Sequence, residues 1–304
     1  MLSFFANIFG YVLSFLYNFV GNYGWAIILF SVLVKAIMIP ISLKQQKAMK
    51  KNAKMQEEMK QIQFKYKNDQ EKLNQELMAL YKREGASPFS GCLSSIIQII
   101  LLFSVFLLVR SPLTYMVKMD SDVISKLESV VSEQESGTKN NYAEIQVIQY
   151  FKNTEDLSSV KEKLDFNLDD YKDQINLNMD FLGIDLSQVP TANLTNIKVL
   201  IIPILYVISS FVSIKLTSAT SNKKKEEEKK KLITDGENKE EEKYNPMEDA
   251  SKTMTWMMPI MSVSIAIIAP LGLALYWLMN NILMIIERLV YNKILKKEEA
   301  EENA

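Results

Sequence analysis

The 304-residue sequence has few of the residues on which enzymatic and metal-binding sites usually depend. It contains no histidine, one cysteine and only 9 glycines. A single cysteine permits neither an intramolecular disulfide nor a cysteine-based metal cluster, and the sequence has no Gly-rich phosphate-binding loop. A carboxylate-only metal site stays formally open. We therefore expect a protein that is not an enzyme and that needs no cofactor or metal.

Charged side chains are also missing from long parts of the chain. Apolar runs alternate with stretches dense in Lys, Glu and Asp, and an apolar helix of about 20 residues crosses a bilayer. The last run is too long for one span, and Pro270 and Gly272 supply a turn that divides it. The pattern predicts an all-α polytopic membrane protein with five transmembrane helices. These are residues 23–43, 91–110, 197–216, 254–270 and 271–291.

The connections between these spans predict the orientation of the chain. Residues 44–90 carry 11 Lys and Arg against 6 acidic residues, whereas residues 111–196 carry 7 Lys against 15. Residues 217–253, a charged linker, carry 9 Lys. Because positive loops stay in the cytoplasm, we expect an N-terminus outside, an extracytoplasmic acidic cap at 111–196 and a cytoplasmic tail at 292–304.

Residues 1–22 predict an amphipathic helix along the outer membrane surface. The stretch lacks the cationic region of a signal peptide, so we expect no cleavage. Polar side chains recur at three- and four-residue steps, opposite a face rich in Phe and Leu. They are Ser3, Asn7, Tyr11, Ser14, Asn18 and Asn22. The alternative is a sixth span at 2–20, which would invert the balance of positive charge.

Residues 44–90 predict a cytoplasmic helical hairpin with a turn at 67–69. Two apolar stripes flank that turn and would face each other in an antiparallel pair. A basic, methionine-rich hairpin suits lipid headgroups, ribosomal RNA or a nascent chain, and the sequence does not choose among them. In the outer segment, residues 121–131 and 154–165 suggest short helices and 144–151 suggests a strand.

Lys35 is the only charge in the apolar run from residue 24 to residue 43. At 1.5 Å per residue it lies roughly 18 Å from the outer start of its helix and about 13 Å from Lys44. A charge at this depth is costly and usually functional, and it needs water or a partner. Ser31 lies one turn away, so a Ser-Lys peptidase dyad is an alternative, although no oxyanion hole accompanies it.

Several ordered segments resemble the YidC/Oxa/Alb family of membrane protein insertases, in its bacterial five-span form. Residues 28–54 include VLVKAIMIPISLKQQ, residues 65–106 include the entry PFSGCLSSIIQII, residues 181–187 read FLGIDLS, and residues 257–281 match the terminal hairpin. The resemblance implies five helices around a hydrophilic groove that is open to the cytoplasm and to lipid but closed outside. It also implies a multi-pass protein of the bacterial plasma membrane.

The groove implied by the resemblance receives hydrophobic segments of nascent membrane proteins, and Lys35 stands where the family usually has arginine. Other candidate residues of this groove are Gln98, Ser213, Tyr276, Trp277 and Asn280. Interfacial anchoring or packing is the alternative role for the two aromatic residues. The implied partners are nascent membrane proteins and the lipid bilayer, with the ribosome and the Sec translocase as further candidates and no DNA.

Glu287 departs from the family pattern, which commonly has an uncharged polar residue there. It stands about 24 Å from the outer end of its helix, near the depth of Lys35. An ion pair with Lys35 and a pairing with Arg288 or lipid headgroups are both open. A transporter or channel that uses the Lys35 and Glu287 pair is the competing function, but the sequence has no inverted repeat in its favour. A passive scaffold is a third hypothesis.

Overall fold

The computed structural model describes residues 1–85, 90–134, 142–234, 264 and 266–302. Within these ranges the regular structure is helical, apart from one two-stranded hairpin. This confirms the predicted all-α polytopic class. Of the predicted span at 254–270, only residues 264 and 266–270 are described, and the linker from residue 235 onward lies outside the described residues.

Helices α1 and α2 form the N-terminal part of the fold. Helix α1 is Leu2–Val20 and helix α2 is Tyr23–Lys65. Gly21 between them has a φ of 65°, which glycine adopts without steric cost, and Asn22 caps α2 by accepting a hydrogen bond from a backbone N–H. Helix α2 continues through Pro40 for 43 residues. The first predicted span and the first arm of the predicted hairpin are therefore one continuous helix.

The hairpin is completed by helix α3, Gln70–Arg83. Met55 of α2 and Leu80 of α3 are both buried, each with 3% of its surface exposed. Arg83 forms a salt bridge with Glu58 across the two helices. Apolar contacts therefore hold the two arms together, and the polar contact at their surface adds little, because water and salt screen exposed ion pairs.

The main helical bundle is built from α2, α4, α9 and α10. Helix α4 is Ser90–Arg110, α9 is Ile197–Thr234 and α10 is Leu271–Glu302. Helix α10 packs against α9 and α2, and α4 packs against α2 and α1. Inside the bundle, buried side chains of several helices meet, whereas large apolar side chains such as Ile208 and Ile286 face outward. Outward apolar surface is what a lipid environment requires.

Four of the described helices contain an apolar stretch long enough to cross a membrane. These stretches are Leu2–Val20, Tyr23–Gln46, Ile197–Leu216 and Leu271–Tyr291. A shorter apolar helical stretch, Ile99–Arg110, lies in α4.

Helix α1 presents three different faces. Ala6, Gly10 and Leu13 are buried against the outer end of α4 and against a π-helical turn, Leu113–Val117, that follows α4. The approach is close, because a Cβ added at Gly10 would lie 1.8 Å from a backbone oxygen of that turn. A second face is apolar and exposed, and a third carries the polar residues. The exposed apolar residues are Phe4, Ile8, Phe15 and Phe19.

The described residues between 121 and 192 form a small, mainly helical cap. Helix α5 is Ser121–Gln134 and helix α6 is Ala143–Asn153. The prediction of a strand at 144–151 is therefore wrong. The Ile and Val residues there suggested a strand, but burial at positions 144, 145, 147 and 148 follows the helical repeat. The prediction of a helix over 154–165 is also only partly met, because helix α7, Ser158–Lys161, has four residues.

The cap is completed by short elements between α7 and α9. These are a 3-10 turn at Leu168–Asp170, helix α8 at Lys172–Ile175, strands β1 at Asp180–Phe181 and β2 at Ile184–Asp185, and a 3-10 turn at Pro190–Ala192. The two strands pair antiparallel, with Asp180 opposite Asp185.

A buried carboxylate ties the cap to the membrane bundle. Glu144 accepts hydrogen bonds from the backbone N–H of Thr114 at 3.0 Å and from its hydroxyl at 2.6 Å. Burial raises the pKa of Glu144 above its ordinary value, although the hydrogen bonds from Thr114 act in the opposite direction. Helix α6 is thereby attached to the turn against which α1 packs.

Candidate functional site

The structure brings Lys35 and Glu287 together between α2 and α10. The Lys35 ammonium forms a salt bridge with Oε2 of Glu287. The other carboxylate oxygen, Oε1, accepts hydrogen bonds from the Ser42 hydroxyl and, at 3.4 Å, from the Gln46 amide. Both carboxylate oxygens are therefore occupied, and three of the four groups come from α2.

Helical geometry explains why one helix supplies three of these groups. Ser42 and Gln46 follow Lys35 at about two and three helical turns, so the three side chains lie along one face of α2. Glu287 is roughly 6 Å deeper in the bundle than Lys35, counted along the two helices from their first residues. The lysine side chain therefore extends away from the cap, towards the end of the bundle that leads into the α2 and α3 hairpin.

The pair is only partly shielded from its surroundings. The Lys35 side chain is 21% exposed and the Glu287 side chain is 13% exposed. Removing two charges from water costs about as much free energy as their attraction returns, so such a pair is weak evidence of a stabilising role. Charged residues in membrane spans usually face a bundle interior or a water-filled cavity and serve function. We therefore take this charge pair as the candidate site.

The segment around the β-hairpin covers the first residues of α2 and α10. The backbone N–H of Tyr23 donates to the Asn178 carbonyl at 2.9 Å, and those of Leu271 and Gly272 donate to the carbonyls of Gln188 and Leu186, also at 2.9 Å. The first residues of α2 and α10 are thus held by one stretch of chain. The hairpin itself lies against α2.

Close packing of the β-hairpin against α2 accompanies these hydrogen bonds. The Phe181 ring of the hairpin covers Gly24, where an added Cβ would lie 2.4 Å from the ring, and it stacks edge-on with Trp25 at 5.3 Å. Glycine at position 24 is therefore required by the ring above it. The Phe181 ring therefore fills the space beside the first turn of α2.

The other predicted groove residues are distributed between core and surface. Ser213 is 7% exposed and Tyr276 is 6% exposed, so both belong to the packed interior. The Trp277 ring is tilted against that of Tyr206 at 5.8 Å, which indicates packing between α10 and α9. Asn280 is exposed and lies about two turns before Glu287, on the same face of α10. Gln98 belongs to α4, and its side chain lies outside the described part.

Sequence reasoning missed several polar contacts inside the bundle. The Asn281 amide donates to the hydroxyls of Ser209 at 3.2 Å and Ser210 at 2.8 Å, which joins α10 to α9. Ser42 and Gln46 were missed too, although their spacing from Lys35 was a usable signal. For Asn281 the sequence offered no signal that distinguishes it from the neighbouring Asn280.

The alternative of a Ser-Lys dyad finds no geometric support at Ser31. The Ser31 hydroxyl donates to the carbonyl of Ile27 in its own helix, at 2.7 Å. The Lys35 ammonium is engaged by Glu287 instead. Within the described residues, no group of three or more His, Cys, Asp or Glu is placed to hold a metal ion.

Comparison with known proteins places this architecture in a family. The profile of the 60Kd inner membrane protein family matches residues 15–299. Membrane protein insertase YidC of Treponema denticola is 27% identical over 288 residues, which are 94% of this chain and 37% of the relative. Its counterpart in Chlorobaculum parvum is 30% identical over 291 residues, 95% of this chain and 36% of the relative.

Shorter alignments are more similar. Membrane protein insertase YidC of Fusobacterium nucleatum is 40% identical over 114 residues, 36% of this chain and 56% of the relative. In these three comparisons, the chain spans between about a third and just over half of the relative's length. The match over residues 15–299 nevertheless covers nearly the whole chain. The chain therefore belongs to the 60Kd inner membrane protein family, the YidC/Oxa1 family.

Proposed function

We propose that the protein is a membrane protein insertase and chaperone, which inserts nascent membrane proteins through a groove open to the cytoplasm and to lipid. Its relatives bear the name membrane protein insertase. The observation that carries the proposal is the Lys35 and Glu287 pair, deep among apolar helices whose first residues are held by the cap segment. A charged, partly exposed site with one covered end suits a polar segment that enters from the cytoplasm.

The physical driving force would be transfer of the apolar segment of a substrate into lipid. Burial of apolar surface is favourable and roughly proportional to its area. The polar groups along α2 would hold water part-way across the bilayer, so that a short hydrophilic tail crosses less hydrocarbon. The membrane potential would add about 2.3 kcal/mol per elementary charge for each 100 mV. No nucleotide hydrolysis is required by this scheme.

The proposed orientation follows the distribution of charge. The basic hairpin, the linker at 217–253 and the C-terminus lie in the cytoplasm, and the acidic cap and the N-terminus lie outside. Helix α1 lies along the outer interface, with its exposed Phe residues towards lipid and Asn7 and Asn18 towards water. The groove is lined by Lys35, with Asn280 nearer the outer end and Gln98 and Ser213 as further candidates.

The partners that this proposal implies are nascent membrane proteins and the lipid bilayer. The hairpin of α2 and α3 is a candidate surface for the ribosome, because its basic side chains suit RNA phosphates. The Sec translocase is a candidate neighbour in the same membrane.

Insertion in cells depleted of their own insertase tests the proposal. The substrate is a small membrane protein with an acidic translocated tail, and protection of that tail from protease is the readout. The wild type and Lys35→Arg should restore insertion, and Lys35→Ala should lose it. Absence of rescue by wild-type protein that is present in the membrane would contradict the insertase function.

A matched double variant separates two reasons for a loss in Lys35→Ala. Removing one partner of a buried ion pair costs about 3–5 kcal/mol, because the other charge stays buried and unpaired. Lys35→Ala with Glu287→Gln removes both charges and avoids that cost. Insertion of the acidic tail should stay below the wild-type level in the double variant if the cation itself acts. Full recovery would remove Lys35 from the mechanism.

A further inference from the structure

Glu287 occupies the position in which an acidic group of a substrate would meet Lys35. The inference below rests on the proposed function and deepens it. One oxygen of Glu287 contacts the ammonium, and the other is held by Ser42 and Gln46. The carboxylate is therefore fixed by α2 itself, and it does not merely lie within reach of the lysine.

This arrangement changes the charge that an entering segment meets. A lone Lys35 would present a full positive charge in surroundings of low polarity, where attraction for a carboxylate is strong. With Glu287 in contact, the pair is neutral at short range. Arg288 is a further charge next to the pair; it interacts electrostatically with Glu287 but lies about 100° around α10 from it.

An acidic side chain of a substrate that reaches Lys35 competes there with Glu287 for the ammonium. If the ammonium turns towards the substrate, Glu287 keeps its hydrogen bonds to Ser42 and Gln46 but loses contact with its counter-ion, in a site where its side chain is only 13% exposed. Uncharged polar segments pay no such cost, because they leave the pair intact. The pair therefore lowers the advantage that an acidic tail has over a neutral one.

We propose that Glu287 is a built-in competitor for Lys35, and that it makes this insertase accept uncharged and acidic translocated tails with similar efficiency. Glu287 is here a specificity-determining residue, since it sets which tails gain from the cation. The substrate class that follows extends to membrane proteins whose translocated segments carry few acidic residues. Their polar tails need a hydrated path more than they need a counter-ion.

The test compares two substrates with the same sequence except at three positions of the translocated tail. One tail has acidic residues at these positions, and the other has serine or glutamine. Insertion is measured in proteoliposomes that contain equal amounts of wild type, Glu287→Gln, Lys35→Ala and the double variant. Equal loading keeps the comparison valid for a variant that accumulates poorly in cells. The quantity is the ratio of acidic-tail to neutral-tail insertion.

Glu287→Gln should raise this ratio about tenfold over the wild type. A tenfold change corresponds to the lower end of the coupling free energies known for close charge pairs at desolvated contacts. The same substitution in the Lys35→Ala background should change the ratio by no more than about twofold, because no cation is left to compete for. Glu287→Asp, which keeps the anion, should stay within about threefold of the wild type.

Two outcomes would overturn the inference. An unchanged ratio in Glu287→Gln would mean that the carboxylate does not compete. An equal rise in the presence and absence of Lys35 would mean that Glu287 acts by general repulsion and not by occupying the lysine. Failure of the wild type to insert the neutral tail would instead contradict the proposed function, and the inference would fall with it.

Discussion

The contact of Gly10 with the turn after α4 predicts that Gly10→Ala, the smallest possible substitution, lowers the stability of the protein. A Cβ at position 10 would lie 1.8 Å from the backbone oxygen of Tyr115 and 2.6 Å from its carbonyl carbon. Both atoms belong to the backbone, so no side-chain rotation can relieve the clash. Gly10→Ala therefore requires α1 to move away from the turn.

The size of that movement follows from the distances. An ordinary carbon to oxygen contact begins at about 3.3 Å, so the two segments must separate by about 1.5 Å. Overpacking of this kind costs about 1–3 kcal/mol, whereas alanine gains up to about 1 kcal/mol over glycine in helix propensity. We expect a net loss of about 1–2 kcal/mol, or about 2–6 °C in thermal midpoint for a chain of this size.

Thermal unfolding in detergent, followed by tryptophan fluorescence, measures the loss, and hydrogen exchange locates it. Exchange should rise in Leu2–Val20 and in Leu113–Val117 and stay unchanged in the α2 and α3 hairpin. Gly272→Ala is the matched control, because its added Cβ would lie 3.3 Å from a Tyr23 ring atom and meet no closer contact. Its loss should be less than a third of that of Gly10→Ala. Wild-type stability and exchange in Gly10→Ala would refute the close packing of α1.

Three further predictions concern polar contacts and a turn. Asn281→Leu should lower the thermal midpoint by no more than about 2 °C. Hydrogen bonds between membrane helices contribute about 0.6 kcal/mol on average, and Ser209 and Ser210 keep the Tyr206 carbonyl as acceptor. A midpoint lower by 6 °C or more would show that this contact is indispensable. The raised pKa of Glu144 means that this carboxyl binds a proton more tightly in the folded cap than in the unfolded chain. The wild type should therefore lose stability as pH rises from the ordinary pKa of glutamate through the raised pKa of Glu144. Glu144→Gln removes this pH dependence. The difference in thermal midpoint between wild type and variant, measured from pH 4 to pH 7.5, checks the direction of the effect. A wild type that gains stability relative to the variant as pH rises over that range would contradict the prediction. Leu182→Asn should raise the midpoint by about 1–3 °C, because Leu182 has a φ of 52°, which asparagine tolerates better than leucine, and Gly183 beside it has a φ of 78°. A fall in the midpoint would mean that the leucine side chain, which is 77% exposed, has a contact that outweighs its backbone strain.

Much of the helical architecture was predictable because its signals are local. The apolar runs at residues 23–43, 197–216 and 271–291 coincide with helical stretches long enough to cross a membrane. The turn at 67–69 was marked by polar residues between two apolar stripes, and the structure has a turn there. Each of these features depends on residues that are close together in the chain, so a short window of sequence contains the required information.

The cap shows where local signals mislead. Residues 144–151 contain Ile, Val, Tyr and Phe, which favour strands, yet they form part of helix α6. The buried face of α6 includes Glu144 together with Ile145 and Ile148, and this spacing matches the repeat of a helix. That burial depends on Thr114, 30 positions earlier, whose backbone and hydroxyl satisfy the carboxylate. A distant partner therefore decided the local structure.

By itself, the sequence determined that the chain is a polytopic helical membrane protein with a charge at the depth of Lys35, because the absence of charge over long apolar runs is a one-dimensional property. Only the tertiary structure decided which group meets that charge. Lys35, Ser42 and Gln46 share one face of α2, but Glu287 is some 250 positions away, and Arg288 is its immediate neighbour in the sequence. The packing of α10 against α2 selects the salt bridge between Glu287 and Lys35, since an ion pair requires contact in space.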